Sequence, residues 1–521
     1  MKIPVLIIGA GPTGLMMAAQ LARFGVDFRI VERNAFPSEK TKAIAVQART
    51  LEIYEQMNLI DEVLEGGLKF KTTHIIGNGV VKANIQIGDF GKDQSPYPFI
   101  QIFTQDKNER LLISYLEKFN KSVEWSKEYS DLKEVENGVE VKVKSSDGTI
   151  ETIVADYVVA CDGGKSPVRH SLKIPFKGDT YEQVFFVADT AVDWKYGYGD
   201  LFLCMGKNKF AAFFPMPGEK RFRVVSIIPE KFLGKAETTF DDIKKIITDE
   251  LNIKAEFYDT SWFAEYRIHH RVVSTFSKGR IFLAGDAAHI HSPAGGQGMN
   301  TGLQDAYNLA WKLASVLKHN ANKNLLDTYN EERLPNAIRL VNTTDRAFTF
   351  IINANPFLRA NVIPVIAKFA IRIPFIKKFM FKGISQIGIT YEKFSLARGT
   401  NSKIKAGQRL PYTELFLNKD DVNIYTLLKA PSFHILICQK EKVDDEKIKS
   451  LSSSLAKIIP DFIKVIVIDP LQTYPQECWG IRTNSIIIVR PDNYIGCIVN
   501  EINPIAIGFE KVKRWFEEKI L

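Results

Sequence analysis

The sequence predicts an α/β fold, and three observations carry that reading. Short apolar runs stand directly before glycine-rich turns at residues 9–14 and 285–300, and each turn opens an apolar helix. A strand covered on both faces reads as a continuous apolar run, whereas an apolar residue at every third or fourth position marks a helix face. Between these two units, residues 176–275 are strand-like, with aromatics in partial alternation.

The first unit runs Val5, Leu6, Ile7, Ile8, then Gly9-Ala10-Gly11-Pro12-Thr13-Gly14, a buried helix over 15–24 and a strand over 27–31 that ends at Glu32 and Arg33. This is the G-x-G-x-x-G dinucleotide fingerprint in its required strand–turn–helix–strand setting. Gly9 permits the tight turn, Gly11 lets a pyrophosphate approach the backbone, and Gly14 lets helix and strand pack. Glu32 stands where a carboxylate holds both hydroxyls of an adenosine ribose, so the nucleotide has a free 2′-hydroxyl. FAD and NAD share that adenosine.

The following segments choose between them. A basic turn at Lys42 leads into a helix containing Arg49, and Gln105-Asp106 opens an amphipathic helix with Leu111, Leu112, Tyr115 and Leu116 on one face. A strand over 156–161 ends at Asp162-Gly163, with Ser166 and Arg169 beyond it. A strand over 280–284 ends at Gly285-Asp286, and the turn after it contains Pro293, Gly296 and Gly298. Met299 and Asn300 begin a helix whose apolar face is Leu303, Ala306, Leu309, Ala310, Leu313, Ala314 and Leu317. A glycine-rich turn lets backbone N–H groups meet a ligand closely, and the helix start adds partial positive charge. A plain dehydrogenase has no use for a second and third acid-ended strand at one nucleotide. His289 and His291 form an H-x-H pair, but no third ligand lies nearby, so no metal site is expected.

Three of these stretches together resemble the FAD-dependent aromatic hydroxylases, the single-component class A flavoprotein monooxygenases: GAGPTG with Glu32, Asp162-Gly163 with Ser166 and Arg169, and residues 285–300. The resemblance implies a p-hydroxybenzoate hydroxylase-like fold, with a Rossmann-like FAD-binding domain at 1–175 and 276–340. A β-rich substrate domain is inserted at 176–275, with residues 70–104 contributing to the substrate side. It also implies that NADPH or NADH reduces the flavin and that O2 forms a C4a-hydroperoxyflavin. One oxygen then passes to a phenolic or polycyclic aromatic substrate. In that family the Asp-Gly motif serves both FAD and NAD(P)H, the position after Asp286 holds the flavin ribityl chain and ring, and Gln105 meets the FAD chain. The implied cofactor set is Gly9, Gly11, Pro12, Thr13, Gly14, Glu32, Arg33, Lys42, Arg49, Gln105, Asp162, Gly163, Arg169, Gly285, Asp286, Pro293, Gly296, Gly298, Met299 and Asn300. Lys42 stands where relatives commonly carry arginine; its ammonium meets a pyrophosphate as a point charge without the planar fork. Arg223 and Asp106 are the candidates for polar contacts to substrate or nicotinamide. A flavin oxidase, a reductase or a Baeyer–Villiger oxygenase on the same scaffold, and a non-catalytic FAD-binding protein, remain open alternatives.

Residues 341–397 read as mixed apolar and basic helices, expected to pack on the catalytic core and on a neighbouring subunit of a homodimer; a membrane-surface role is the alternative reading. Beyond 398, strands over 433–437, 463–468 and 486–489 lie between amphipathic helices, with Trp515 in the last. With Arg490-Pro491-Asp492 this part resembles the thioredoxin-like C-terminal domain of phenol hydroxylase relatives. Without C-x-x-C it is expected to pack and assemble rather than to do dithiol chemistry.

Composition limits the remaining classes. At 45% hydrophobic and 25% charged the chain is ordinary for a globular protein, and its net charge of +9 reads as spread along the sequence. No basic stripe with interleaved aromatics supports nucleic-acid binding. Five widely spaced cysteines with no C-x-x-C pair support neither a disulfide framework nor zinc, and fit a reducing cytoplasm. The first strand starts at the N-terminus, which leaves no room for a signal peptide. The most apolar late region, 348–381, is interrupted by Arg359, Lys368, Arg372 and prolines, so no membrane span is expected.

Overall fold

A computed structural model describes residues 2–521 apart from 40, 87–89, 207–209, 235–237, 293–295, 354, 356, 418–419, 472–476, 501 and 503–504. The fold is mixed α/β. Four parallel strands lie side by side in the order Phe28–Val31, Ile3–Ile8, Ile150–Ala160, Ile281–Leu283. Val5, Leu6, Ile7, Val158, Val159, Ile281 and Leu283 have no exposed surface, as their unbroken apolar runs require. Helices Pro12–Arg23 and Gly298–Lys318 pack against each other in the same core. Because the strands are parallel, all four chain exits lie along one edge. Lateral hydrogen bonds stitch them together there: Gly9 N–H to Val31 O, Cys161 N–H to Ile8 O, and Ala284 N–H to Ala160 O.

The middle of the chain forms an eight-stranded sheet around two 19-residue strands, Phe176–Trp194 and Ala255–Val273, paired antiparallel. Arg221–Ile227, Phe210–Pro215 and Leu201–Met205 continue it, and Thr72–Gly77 and Val80–Gln86 close one side. At the other edge is the two-residue strand His289–Ile290, which follows directly on Asp286. One face packs Phe186, Ala188, Phe213 and Val224 on the helix Phe240–Leu251, whose Phe240, Ile243, Ile247 and Leu251 are buried. The other face is turned toward the nucleotide half.

The C-terminal part is a four-stranded sheet in the order Ile463–Ile468, Phe433–Cys438, Ser485–Val489, Ile495–Val499. The first pair is parallel and the rest antiparallel, with helices Asp445–Ala456 and Ile505–Lys519 packed on it. The strand Ile495–Val499 is absent from the sequence expectation. It follows the preceding strand through the five-residue turn Arg490 to Tyr494, and Gly496 and Cys497 break up its apolar run.

Asp327–Asn353 is a single helix with Pro335 inside it, and it runs through residue 340, where the nucleotide-binding part is expected to end. The compositional change there marks where the helix leaves the core, Val341 being buried and Asn342 and Thr343 exposed.

Candidate active site

The acid-ended strands meet where the sequence expects. Glu32, Asp162 and Asp286 follow Val31, Ala160 and Leu283 at the same edge of the sheet. Glu32 and Asp286 are separated by three inter-strand spacings, roughly 14 Å, which makes the site an elongated groove. Glu32 accepts hydrogen bonds from Ala10 N–H at 2.8 Å and from the Asn34 backbone and side-chain amides at 3.0 and 2.7 Å. Arg33 is exposed beside it.

The glycines divide the work. Gly9 has φ +99°, and a side chain on it would strike the Cys161 carbonyl. A Cβ on Gly14 would run into Gly9 O. A Cβ on Gly11 would meet nothing within 4 Å, so that position faces open space at the mouth of the helix that Pro12 begins. Thr13 lies between Gly285 and Gly302, each of which lacks a side chain because the Thr13 hydroxyl occupies the space. It therefore locks the two glycine turns together.

Asp162 gives the clearest sign of a missing polar partner. Its Oδ2 accepts from Val168 N–H at 3.1 Å, while its buried Oδ1 has no partner among the described residues. Burial pushes this carboxyl above its usual range. Gly163 beside it has φ +83° and open space around it. Arg169 ties the turn after Asp162 to the turn after Asp286. Its guanidinium donates to Ala287 O at 2.9 Å and Gly164 O at 2.8 Å, and lies 4.0 Å from the centre of the Phe176 ring.

Asp286 is reached by solvent yet ringed by protein, as befits the floor of a groove; that crowding pushes its carboxyl up, against the pull of His289 and Lys42. Pro293 lies outside the described residues. Gly296 has φ +61° and approaches Ala45. The helix Gly298–Lys318 makes its first internal bond from Thr301 N–H to Gln297 O, which leaves the N–H groups of Gly298, Met299 and Asn300 unclaimed by the helix. The Asn300 side chain is spent elsewhere. It accepts from Gln47 N–H and Thr50 Oγ1 and donates to Ala45 O and Gly296 O.

Arg49, Arg223 and Asp106 are all engaged by protein partners. Arg49 is fully buried, donates to Glu52 at 3.0 Å and to Asp492 O at 2.6 Å, and lies over Tyr307 and Tyr494. It anchors the C-terminal part through Asp492. Arg223 forms a two-armed ion pair with Asp189 at 2.7 and 2.6 Å and reaches Lys42 O at 3.3 Å. Asp106 accepts from Thr41 Oγ1 at 2.6 Å. Both are tied to the loop that carries Lys42, Asp106 through Thr41 and Arg223 through the Lys42 carbonyl. Gln105 joins the same loop, its Oε1 accepting from Ala43 N–H at 3.3 Å.

Residues that sequence reasoning missed complete the groove. Asp305, buried in the flanking helix, accepts from Gly285 N–H, His289 Nε2 and Arg333 Nε, and so holds the second turn in shape. The available signal was a polar stripe, Thr301, Asp305, Asn308 and Lys312, at helical spacing along an otherwise apolar helix. The His291 ring Nδ1 lies 2.7 Å from Ser292 O, and its buried Nε2 has no partner among the described residues. Burial holds its pKa down at about 4, so the ring is neutral at physiological pH. Across the groove, Phe185, Asp189, Phe214, Arg223, Trp262 and Tyr266 share one face of the large sheet by cross-strand register. Arg223 points from that face to Lys42 O, so the half-exposed rings of Phe214, Trp262 and Tyr266 stand on the nucleotide side.

The residues present fit FAD: open space at Gly11, an orphaned acceptor at Asp162, a ribose-type carboxylate at Glu32, and a helix start aimed at the far end. Comparison with known proteins agrees. Residues 2–344 match the family model described as FAD binding domain. Pentachlorophenol 4-monooxygenase of Sphingobium chlorophenolicum is 33% identical over 65% of this chain and 63% of its own. The uncharacterized aromatic compound monooxygenase YhjG of Bacillus subtilis is 29% identical over 99% of this chain and 98% of its own. Among solved structures, the anhydrotetracycline hydroxylase OxyS of Streptomyces rimosus superposes with a TM-score of 0.79, at 26% identity and 99% coverage of both chains. The chain belongs to the FAD-binding family of flavin-dependent aromatic hydroxylases.

Proposed function

We propose that the protein is an NAD(P)H-consuming FAD monooxygenase that places one hydroxyl group on a phenolic or polycyclic aromatic ring. The observation that carries this reading is the aromatic face of Phe214, Trp262 and Tyr266, which lies on the same side of the sheet as Arg223 and so faces the loop that carries Lys42. FAD bound in the groove supplies the redox chemistry, taking reducing equivalents from NAD(P)H and activating O2. The chain's own residues do the rest. Unclaimed N–H groups of Gly298, Met299 and Asn300 stabilise negative charge at the far end of the groove. Trp262, Phe214 and Tyr266 stack on an aromatic substrate and exclude water. The Tyr266 hydroxyl, pushed up to about 12 by burial, keeps its proton and can donate to a phenolate oxygen. The C-terminal sheet order and its mixture of one parallel and two antiparallel pairs support a thioredoxin-like domain, and the parallel sheet with its glycine turn supports a Rossmann-like one. Five cysteines, all free thiols, support a cytoplasmic setting.

The test is oxidation of NADPH and of NADH by the purified yellow protein with a panel of phenols and fused-ring aromatics, with products read by mass spectrometry. Stimulation by an aromatic and a product heavier by one oxygen atom are expected. Trp262→Ala should raise KM for that aromatic about tenfold, the equivalent of one lost stacking contact. Aromatic-independent NAD(P)H oxidation with no product heavier by one oxygen would refute the reading.

A further inference from the structure

Between Asp345 and Glu392 the chain contains no acid and seven cations: Arg346, Arg359, Lys368, Arg372, Lys377, Lys378 and Lys382. The positive charge is therefore gathered locally, contrary to the even spread expected from composition. Part of the segment folds as two short helices, Ile363–Ala370 and Pro374–Ile384, the first lying against the strand Val80–Gln86. Pro364, Ile371 and Phe381 are the buried roots, and the Lys377 ammonium sits 5.6 Å from the centre of the Phe90 ring.

The outward side is the apolar one. Ile366 is 60% exposed, Phe369 56%, Phe375 77% and Phe379 70%. Phe375, Lys378, Phe379 and Lys382 fall at i, i+3, i+4 and i+7 on one exposed stripe. A helix of a globular protein turns its apolar stripe inward, and apolar patches of this kind on a soluble protein mark an interaction surface.

We propose that this helical pair docks the protein on an anionic phospholipid surface. The interleaving of phenylalanine with lysine and arginine suits the headgroup boundary, where rings sink among the acyl chains and cations meet phosphates. Charge argues against a second copy of this chain, since a two-fold contact would press identical cations together with no acid between Asp345 and Glu392 to offset them. Spanning is excluded by length, for no helix among the described residues is long and apolar enough to cross a membrane. The docked face is joined to the active site. Gln297 Nε2 donates to Gly383 O at 3.1 Å, Gln386 Nε2 to Thr301 Oγ1 at 2.8 Å, and Arg49 N–H to Ser385 O at 3.2 Å. A membrane-dissolved aromatic would thus lie beside the start of the helix Gly298–Lys318. Docking itself is independent of which aromatic is consumed.

The experiment is co-sedimentation of the FAD-loaded protein with vesicles of phosphatidylcholine alone and with vesicles in which half the lipid is phosphatidylglycerol. Binding to the anionic vesicles only is expected, weakening as salt is raised. Lys378→Gln and Lys382→Gln should each lower the partition about fivefold. Phe375→Ser combined with Phe379→Ser should abolish it while leaving flavin content and thermal unfolding unchanged, because both rings are exposed. Absence of binding to either vesicle, or equal binding to both, overturns the proposal. So does a solution dimer, seen by ultracentrifugation, that the double serine variant splits without any vesicle binding; that result would assign the face to a second copy.

Discussion

Gly11 and Gly14 stand three positions apart in one turn and should respond to a methyl group in opposite ways. Gly11 has φ −71°, a conformation any residue adopts, and faces open space. Gly11→Ala should keep the stability of the apoprotein within about 0.5 kcal/mol while weakening FAD binding at least about tenfold. Gly14→Ala should cost roughly 1–3 kcal/mol without FAD, although helix propensity alone favours alanine by about 1 kcal/mol. Thermal unfolding of the apoproteins and a flavin fluorescence titration separate the two. Wild-type affinity in Gly11→Ala would mean that the open space is not where the pyrophosphate lies. The spacing of the glycines made both roles legible, because the turn and its helix are local. Arg49 was not legible: its partner Asp492 lies 443 positions away, and no local pattern distinguishes a basic residue near a cofactor turn from one that anchors a distant sheet.

Elements were legible where their period was unbroken. The strands of the parallel sheet stand where their apolar runs place them, whereas the two long strands of the large sheet extend well past the alternating stretches that announced them. Register shifts interrupt their pairing between Thr180 and Val184 and between Asp189 and Ala191, which scrambles the alternation. Register also decides what Arg223 does. It stands directly across from Asp189, and Trp262 flanks the pair on the other side, with its ring 4.8 Å from the guanidinium. An exposed pair contributes little, but this one is nearly desolvated, Arg223 being 3% exposed. Arg223→Lys keeps the charge and loses the fork, and should destabilise the protein by roughly 1.5–3 kcal/mol. It should also weaken FAD binding, because Lys42 is held through its carbonyl by the same guanidinium. Urea unfolding and flavin titration read both effects. A change below about 0.5 kcal/mol would place Arg223 among ordinary surface cations.

At the scale of the whole molecule, the C-terminal sheet is joined to the nucleotide half through buried charge. Glu332 accepts from Arg490 Nη2 at 2.9 Å, Lys312 Nζ at 2.8 Å and Asn308 Nδ2 at 2.8 Å. Asp492 accepts from Arg490 and from Trp311 Nε1 at 3.1 Å. Burial alone would raise the Glu332 carboxyl, but Arg490 and Lys312 outweigh it and hold its pKa down to about 2, against an ordinary 4.5. A carboxyl depressed in the folded state contributes stability that is complete above its unfolded pKa and is lost as pH falls through the folded one. The contribution of Glu332 should therefore be whole above about pH 4.5 and fade toward pH 2. Lys312 acts with the opposite sense: burial lowers it to about 8, so keeping it charged costs stability below that pH and the cost is relieved as pH rises. Glu332→Gln leaves Arg490 and Lys312 buried without their shared anion and should cost about 3–5 kcal/mol at pH 7. The gap between wild type and variant should then narrow as pH falls toward 3, because the carboxyl of the unfolded wild type takes up a proton there while the folded one is still ionised, a preference the amide does not have. Denaturant unfolding of both proteins at pH 7, 4 and 3 measures this. A gap that stays constant over the range would mean that Glu332 holds the two halves together by shape and hydrogen bonding rather than by its charge.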